Sequence, residues 1–286
     1  MNNNLFFDNL KQSTGMRIFL YLVILLISSL IGVAISTALM LSGSDLSLKI
    51  GQGLSSVMMF VVPPIVYYLV TRKEHQMQNL GFRKLLNPWM LLFGLAAMFI
   101  SLPVTNQLSI WNEGMNFGPL ENYLKTMEEA TADITERMLN VNTIGGLLLN
   151  LLIIALIPAI GEELTFRGIL QQALTRRMKN PHVAIILSAA IFSFIHFQFY
   201  GFLPRTFLGV LLGYLFYISG SLWTSILMHF INNGTVVLAY YLNNKGLNID
   251  VEHFGSMESL WMVGLSALLT MGLIVWAWKQ KERPQS

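Results

Sequence analysis

The chain has 286 residues, 54% hydrophobic and 12% charged, against about 25% charged in ordinary soluble domains. A net charge of +3, spread between apolar runs rather than along one face or tail, gives no sign of a nucleic-acid partner. Cysteine is absent, which excludes a disulfide framework, a thiolate metal site and a cysteine nucleophile and leaves His, Glu, Asp or Asn to hold any metal.

The opening MNNNLFFDNLKQSTGMR is too polar and too poor in basic residues for a signal n-region, and the apolar run after it is long enough to span rather than be cleaved. A bilayer core of about 30 Å needs about 20 apolar residues per helix. By that measure spans fall near 18–41, 52–70, 88–105, 144–161, 183–199, 206–220, 222–242 and 258–278. The predicted fold is all-α: a polytopic membrane helical bundle of about eight transmembrane helices, forming a single integral membrane domain over 1–286. Pro63 and Pro64 interrupt the second span, where neighbouring helices must satisfy the freed backbone groups. Segment 119–140 alternates charges with spaced apolar residues and reads as a solvated connecting helix on one face; a gate over a membrane cavity is the second reading. Gly209 and Gly213, four apart, would let another helix approach closely.

Lys and Arg beside the spans orient them. Lys11 and Arg17, then Arg72, Lys73, Arg83 and Lys84, then Arg176, Arg177 and Lys179, and finally Lys279, Lys281 and Arg283 all fall on one side when eight spans are counted. That side is taken as cytoplasmic, with both termini on it. The opposite side receives the acidic stretch from Glu113 to Glu136 and then Asp250, Glu252 and Glu258.

Within IPAIGEELTFRGIL, residues 157–170, two glutamates and an arginine interrupt apolar sequence. Glu163 and Arg167 are four apart in the favoured order and can pair on a helix. Glu162, about 100° round the helix, has no such partner. An unpaired carboxylate near hydrocarbon costs several kcal/mol and marks function by default when it faces a cavity; the other reading is a pair of first-turn acids at the membrane surface. Two further polar intrusions follow, Phe192 with His196 and His229 with Asn233, each pair sharing a helix face. Each histidine alone reads as interhelical hydrogen bonding. Glu, His and His-Asn on three separate spans together point to one site. If adjacent helices meet at the Lys179–Pro181 hairpin, Glu162 and His196 both lie about 22–26 Å from it and can face one another. His229 is shallower, only eight residues beyond Ser221, so tilt or an irregular turn must deepen it. His75, His182 and His253 read as solvated, and Arg205 reads as a headgroup contact first, with contact to substrate as the second reading.

Glu-Glu-x-x-x-Arg, then Phe-x-x-x-His, then His-x-x-x-Asn, in that order on successive helices, resembles the CPBP family of intramembrane proteases, which includes type II CAAX prenyl endopeptidases and bacterial Abi proteins, some linked to bacteriocin immunity. The resemblance covers 145–240 as a catalytic core. It implies an endopeptidase hydrolysing a peptide bond of a membrane-associated protein or peptide in a cell membrane, a bacterial cytoplasmic one being the expectation. Glu162 would activate water with help from His196, while His229 and Asn233 would stabilise the oxyanion. Glu163, Arg167 and Phe192 match the structural part of the motifs. Members are described both as metal-free and as metal-dependent, so the resemblance implies either no cofactor or a divalent metal, zinc first, with Glu162, His196 and His229 as candidate ligands; no HExxH element is present. A catalytically silent scaffold or immunity-type protein of the same fold is the alternative. A proton-coupled carrier is a distant third, since no inverted repeat is visible.

Overall fold

The computed structural model describes residues 14–71, 80–82, 87–249 and 259–282. Lys11, Arg72, Lys73, His75, Arg83, Lys84, Asp250, Glu252, His253, Glu258 and Arg283 lie outside them.

The described residues form nine helical rods. The first, α1, is Thr14–Met40; α2 runs as Asp45–Ser56, a π-helical stretch Val57–Val61 and Val62–Thr71; α3 is Pro88–Glu113 and α4 is Glu121–Leu139. The long α5 comprises Ile144–Asn150, Ile157–Glu163 and Gln172–Met178, joined by π-helical Leu151–Leu156 and Leu164–Gln171. Then follow α6, Pro181–Phe194; α7, Phe202–Ser219; α8, Leu222–Asn244; and α9, Leu260–Glu282. Starts are written in the sequence as caps: the side chains of Ser44, Asn87, Thr143 and Asn180 accept from the first free backbone N–H groups of α2, α3, α5 and α6. Pro88 and Pro181 sit in first turns, where the missing N–H costs nothing. Helix α7 stops at Gly220, whose φ of +64° suits glycine.

Among the described residues, seven helices are long and apolar enough to cross a bilayer, the pattern of a multi-pass membrane protein. The eighth apolar helix, α6, has 14 residues and reaches only about 21 Å, less than a bilayer core. The span expected at 183–199 is therefore a short helix followed by a turn. The span expected at 144–161 extends through the charged motif to Met178, because Glu163 and Arg167 neutralise each other and allow the helix to continue. Phe19, Leu26, Leu30, Trp261, Leu268 and Trp276 stand exposed on the outer helices, an apolar surface suited to lipid.

The proline break in α2 is met from α5. Pro64 has no N–H to offer the Phe60 carbonyl four residues back. Thr165 Oγ1 donates to that carbonyl at 3.1 Å, and Tyr21 OH donates in turn to Thr165 Oγ1 at 2.9 Å. Close approach of the two helices depends on Gly161, where a Cβ would lie 2.7 Å from the Phe60 Cβ. Helix α4 is the amphipathic surface segment anticipated at 119–140; Met138 and Leu139 are buried, and Arg137 reaches Asp45 on α2 at 2.9 Å. His182 is exposed but not merely solvated: its Nδ1 lies 2.9 Å from Tyr214 OH and its ring stacks on Trp278.

Candidate active site

The second π-helical stretch of α5 turns Glu163, Arg167 and Gln171 towards α7. Arg167 Nη1 donates to Glu163 Oε1 at 2.7 Å, Arg167 Nη2 donates to Gly209 O at 2.8 Å, and Gln171 Nε2 donates to Gly213 O at 3.0 Å. Residues four apart on α5 thus meet carbonyls four apart on α7. Glycine is required at 213, because a Cβ there would lie 2.9 Å from Gln171 Oε1 and from Ile185 Cγ2. The GxxxG spacing serves a polar ladder as well as close packing. Glu163 and Arg167 are buried to 0% and 1% exposure, and in such surroundings each charge needs its partner.

Glu162 points elsewhere. It lines a cavity of about 890 Å³ together with His196, His229, Asn233, Phe192 and Arg205. Its Oε2 is 3.6 Å from His229 Nε2, and its Oε1 is 3.9 Å from His196 Nε2. These gaps exceed direct hydrogen-bond length and suit groups that share a water.

Both imidazoles are oriented from behind. His196 Nδ1 lies 2.7 Å from the Phe192 carbonyl, which can only accept, so Nδ1 carries the proton. His229 Nδ1 lies 2.9 Å from Glu163 Oε1, which also accepts from Arg167 Nη1, and it donates there too. Each ring therefore turns Nε2 to Glu162. Phe192 separates the rings, edge-on to His196 at 4.9 Å and to His229 at 6.1 Å between centroids, with Arg167 Cζ 5.3 Å from its own centroid. Asn233 accepts from Asn232 Nδ2 at 3.2 Å on the same wall.

The depth argument for Glu162 and His196 agrees with this placement, though His196 lies two residues beyond the end of α6 rather than within a span. His229 is 2% exposed and reaches both glutamates. Two features escaped the sequence reading. One is the His229–Glu163 bond, since nothing in the spacing of residues 66 apart reveals it. The other is the place of Arg205 in the cavity wall, where the second of its two sequence readings, contact to substrate, fits better than the headgroup reading put first. As a zinc site, Glu162, His196 and His229 do not fit as they stand. Among the described residues no group of three or more His, Cys, Asp or Glu side chains is arranged to hold a metal ion.

Residues 144–235, from the start of α5 into α8, match the family model for type II CAAX prenyl endopeptidase Rce1-like proteins. The matched segment is similar to that family and contains Glu162, His196, His229 and Asn233. No curated protein and no solved structure matches the chain.

Proposed function

We propose that the chain is a single integral membrane domain whose core, residues 145–240, is an endopeptidase cutting a peptide bond of a membrane-associated protein or peptide. The observation that carries this reading is one carboxylate, Glu162, set between the Nε2 atoms of His196 and His229 at 3.9 and 3.6 Å on the wall of a cavity.

A water in that gap loses a proton to Glu162, with His196 Nε2 accepting a second hydrogen bond that fixes its orientation. Its oxygen bonds to the scissile carbonyl carbon, and the carbonyl electron pair moves onto oxygen. Asn233 Nδ2 donates to that oxyanion. His229, its ring fixed by the Nδ1 contact to Glu163, presents Nε2 beside the same oxygen. Collapse of the intermediate breaks the C–N bond, and the proton held by Glu162 passes to the departing amine. Catalysis thus draws on a base and preorganised donors inside a largely apolar cavity, where such donors act strongly. Glu163, Arg167 and Phe192 are positioning residues, acting through His229 and His196. The protein works in a cell membrane, as its long apolar helices require.

The test is incubation of the purified full chain in lipid nanodiscs with a library of membrane-spanning and membrane-anchored peptides, read by mass spectrometry. Wild type should cut, Glu162→Gln should not, and a chelator should leave cleavage in place. Absence of cleavage by wild type would favour a silent scaffold, and equal cleavage by wild type and Glu162→Gln would sink the assignment of Glu162 as the base.

A further inference from the structure

Arg205, in the first turn of α7, lines the same cavity as Glu162 and His196. Its guanidinium folds back over the turn that leaves α6. Nη1 donates to Gln198 O at 3.2 Å and Nη2 to Gln198 Oε1 at 3.0 Å. The seat depends on Gly201, where a Cβ would lie 2.9 Å from Nη2. Both acceptors are neutral, and a guanidinium has five N–H donors in a planar fork.

The contrast with Arg167 is informative. Arg167 is matched by Glu163, whereas among the described residues Arg205 forms no ion pair. Two carboxylates act on it electrostatically, Glu162 within the cavity and Glu128 on α4, and neither is within the 4.0 Å of an ion pair. Glu128 belongs to the surface helix that covers this end of the cavity; burial pushes its carboxyl above the usual range, while Arg205 and the Tyr200 N–H pull it down. The cavity therefore holds a half-buried cation, fixed in its plane, with donors left for an anion beside the reacting groups. A planar fork of this kind suits a carboxylate, which it can grip through two parallel bonds.

We propose that Arg205 is a specificity-determining residue that binds a carboxylate of the substrate, from either the chain terminus or an Asp or Glu side chain, and so selects which peptide bond reaches Glu162. The proposal deepens the endopeptidase reading and rests on it. Gln198 is the positioning residue that holds the fork.

The experiment separates the two readings. Full-length protein carrying Glu162→Gln, in lipid nanodiscs, is titrated with fluorescent membrane-spanning peptides in matched forms: C-terminal acid or amide, and Asp/Glu or Asn/Gln near the terminus. With Arg205 present, one acidic form should bind about ten- to a hundredfold more tightly than its neutral mate. Arg205→Gln should abolish that difference, and Arg205→Lys should keep part of it. The pair that discriminates identifies the source of the carboxylate. Equal binding of acidic and neutral mates, or binding of none, overturns the proposal. Should Arg205→Gln fail to fold, the matched peptides on the Arg205 protein and the Lys variant still decide. Cleavage is followed in parallel with Glu162 intact. Carboxylate-selective binding without cleavage would sink the endopeptidase reading, whereas cleavage indifferent to the carboxylate would sink the role of Arg205 alone.

Discussion

Glu162 and Glu163 are neighbours on α5, yet they belong to two different regions of the molecule. Glu163 faces the dry seam between α5 and α7, where Arg167 Nη1 and His229 Nδ1 both converge on its Oε1 at 2.7 and 2.9 Å. Its Oε2 is buried without a hydrogen-bond partner among the described residues. Glu162 faces the cavity, and its nearest ionisable neighbours stand 3.6 and 3.9 Å away. A rotation of about 100° along one helix separates a group locked into the fold from one left free to move a proton. The two regions are joined by His229, which touches both. A charge in an apolar bundle can thus serve as an anchor or as a reagent, and the presence or absence of a close countercharge distinguishes the two.

Loss of the anchor should give the largest effect. Arg167→Met leaves Glu163 charged and buried, at a cost of about 3–5 kcal/mol, and should show as collapse of the thermal unfolding temperature or of yield in membranes. Replacing Glu163 and Arg167 together by leucine should recover most of that stability while uncoupling His229, so cleavage would stay low in a folded protein.

On the cavity side the expectation reverses. Glu162→Gln should lower the cleavage rate by about 10²–10⁴-fold and leave the unfolding temperature close to wild type. A large loss of stability in that variant would mean that Glu162 is an anchor too.

Smaller effects sharpen the boundary. Thr165→Val removes the donor that meets the Phe60 carbonyl freed by Pro64 and should cost about 1–3 kcal/mol, seen in thermal unfolding. Cleavage should fall only as far as α2 shifts the cavity wall. The least effect belongs to Arg137→Ala, because its pair with Asp45 is 57% and 69% exposed; a change below about 1 kcal/mol is expected, measurable by comparing unfolding temperatures at low and high salt.

Much of this was legible in sequence, and the reason lies in what is local. Apolar runs long enough for a bilayer identified most of the spans, since hydrocarbon thickness fixes their length. The Glu163–Arg167 pair followed from helical spacing alone, and Glu162, His196, His229 and Asn233 stood out because polar groups are costly in apolar helices. The short α6 was missed because apolar residues continue through Ile195 and Phe197 after the helix has ended at Phe194. The two readings of Arg205 could not be separated, because a cation near the start of a helix has the same appearance in sequence whether it faces headgroups or a cavity.

The sequence by itself determined the membrane class, the order of the helices, their caps and the identities of the groups that make up the site, because those depend on hydrophobicity, chain geometry and residue chemistry over a few turns. Only the tertiary structure decided which glutamate is anchored, which nitrogen of each histidine faces Glu162, and that Arg205 looks inward. Those choices depend on contacts between helices tens of residues apart, set by where α5, α7 and α8 pack against one another rather than by any local pattern.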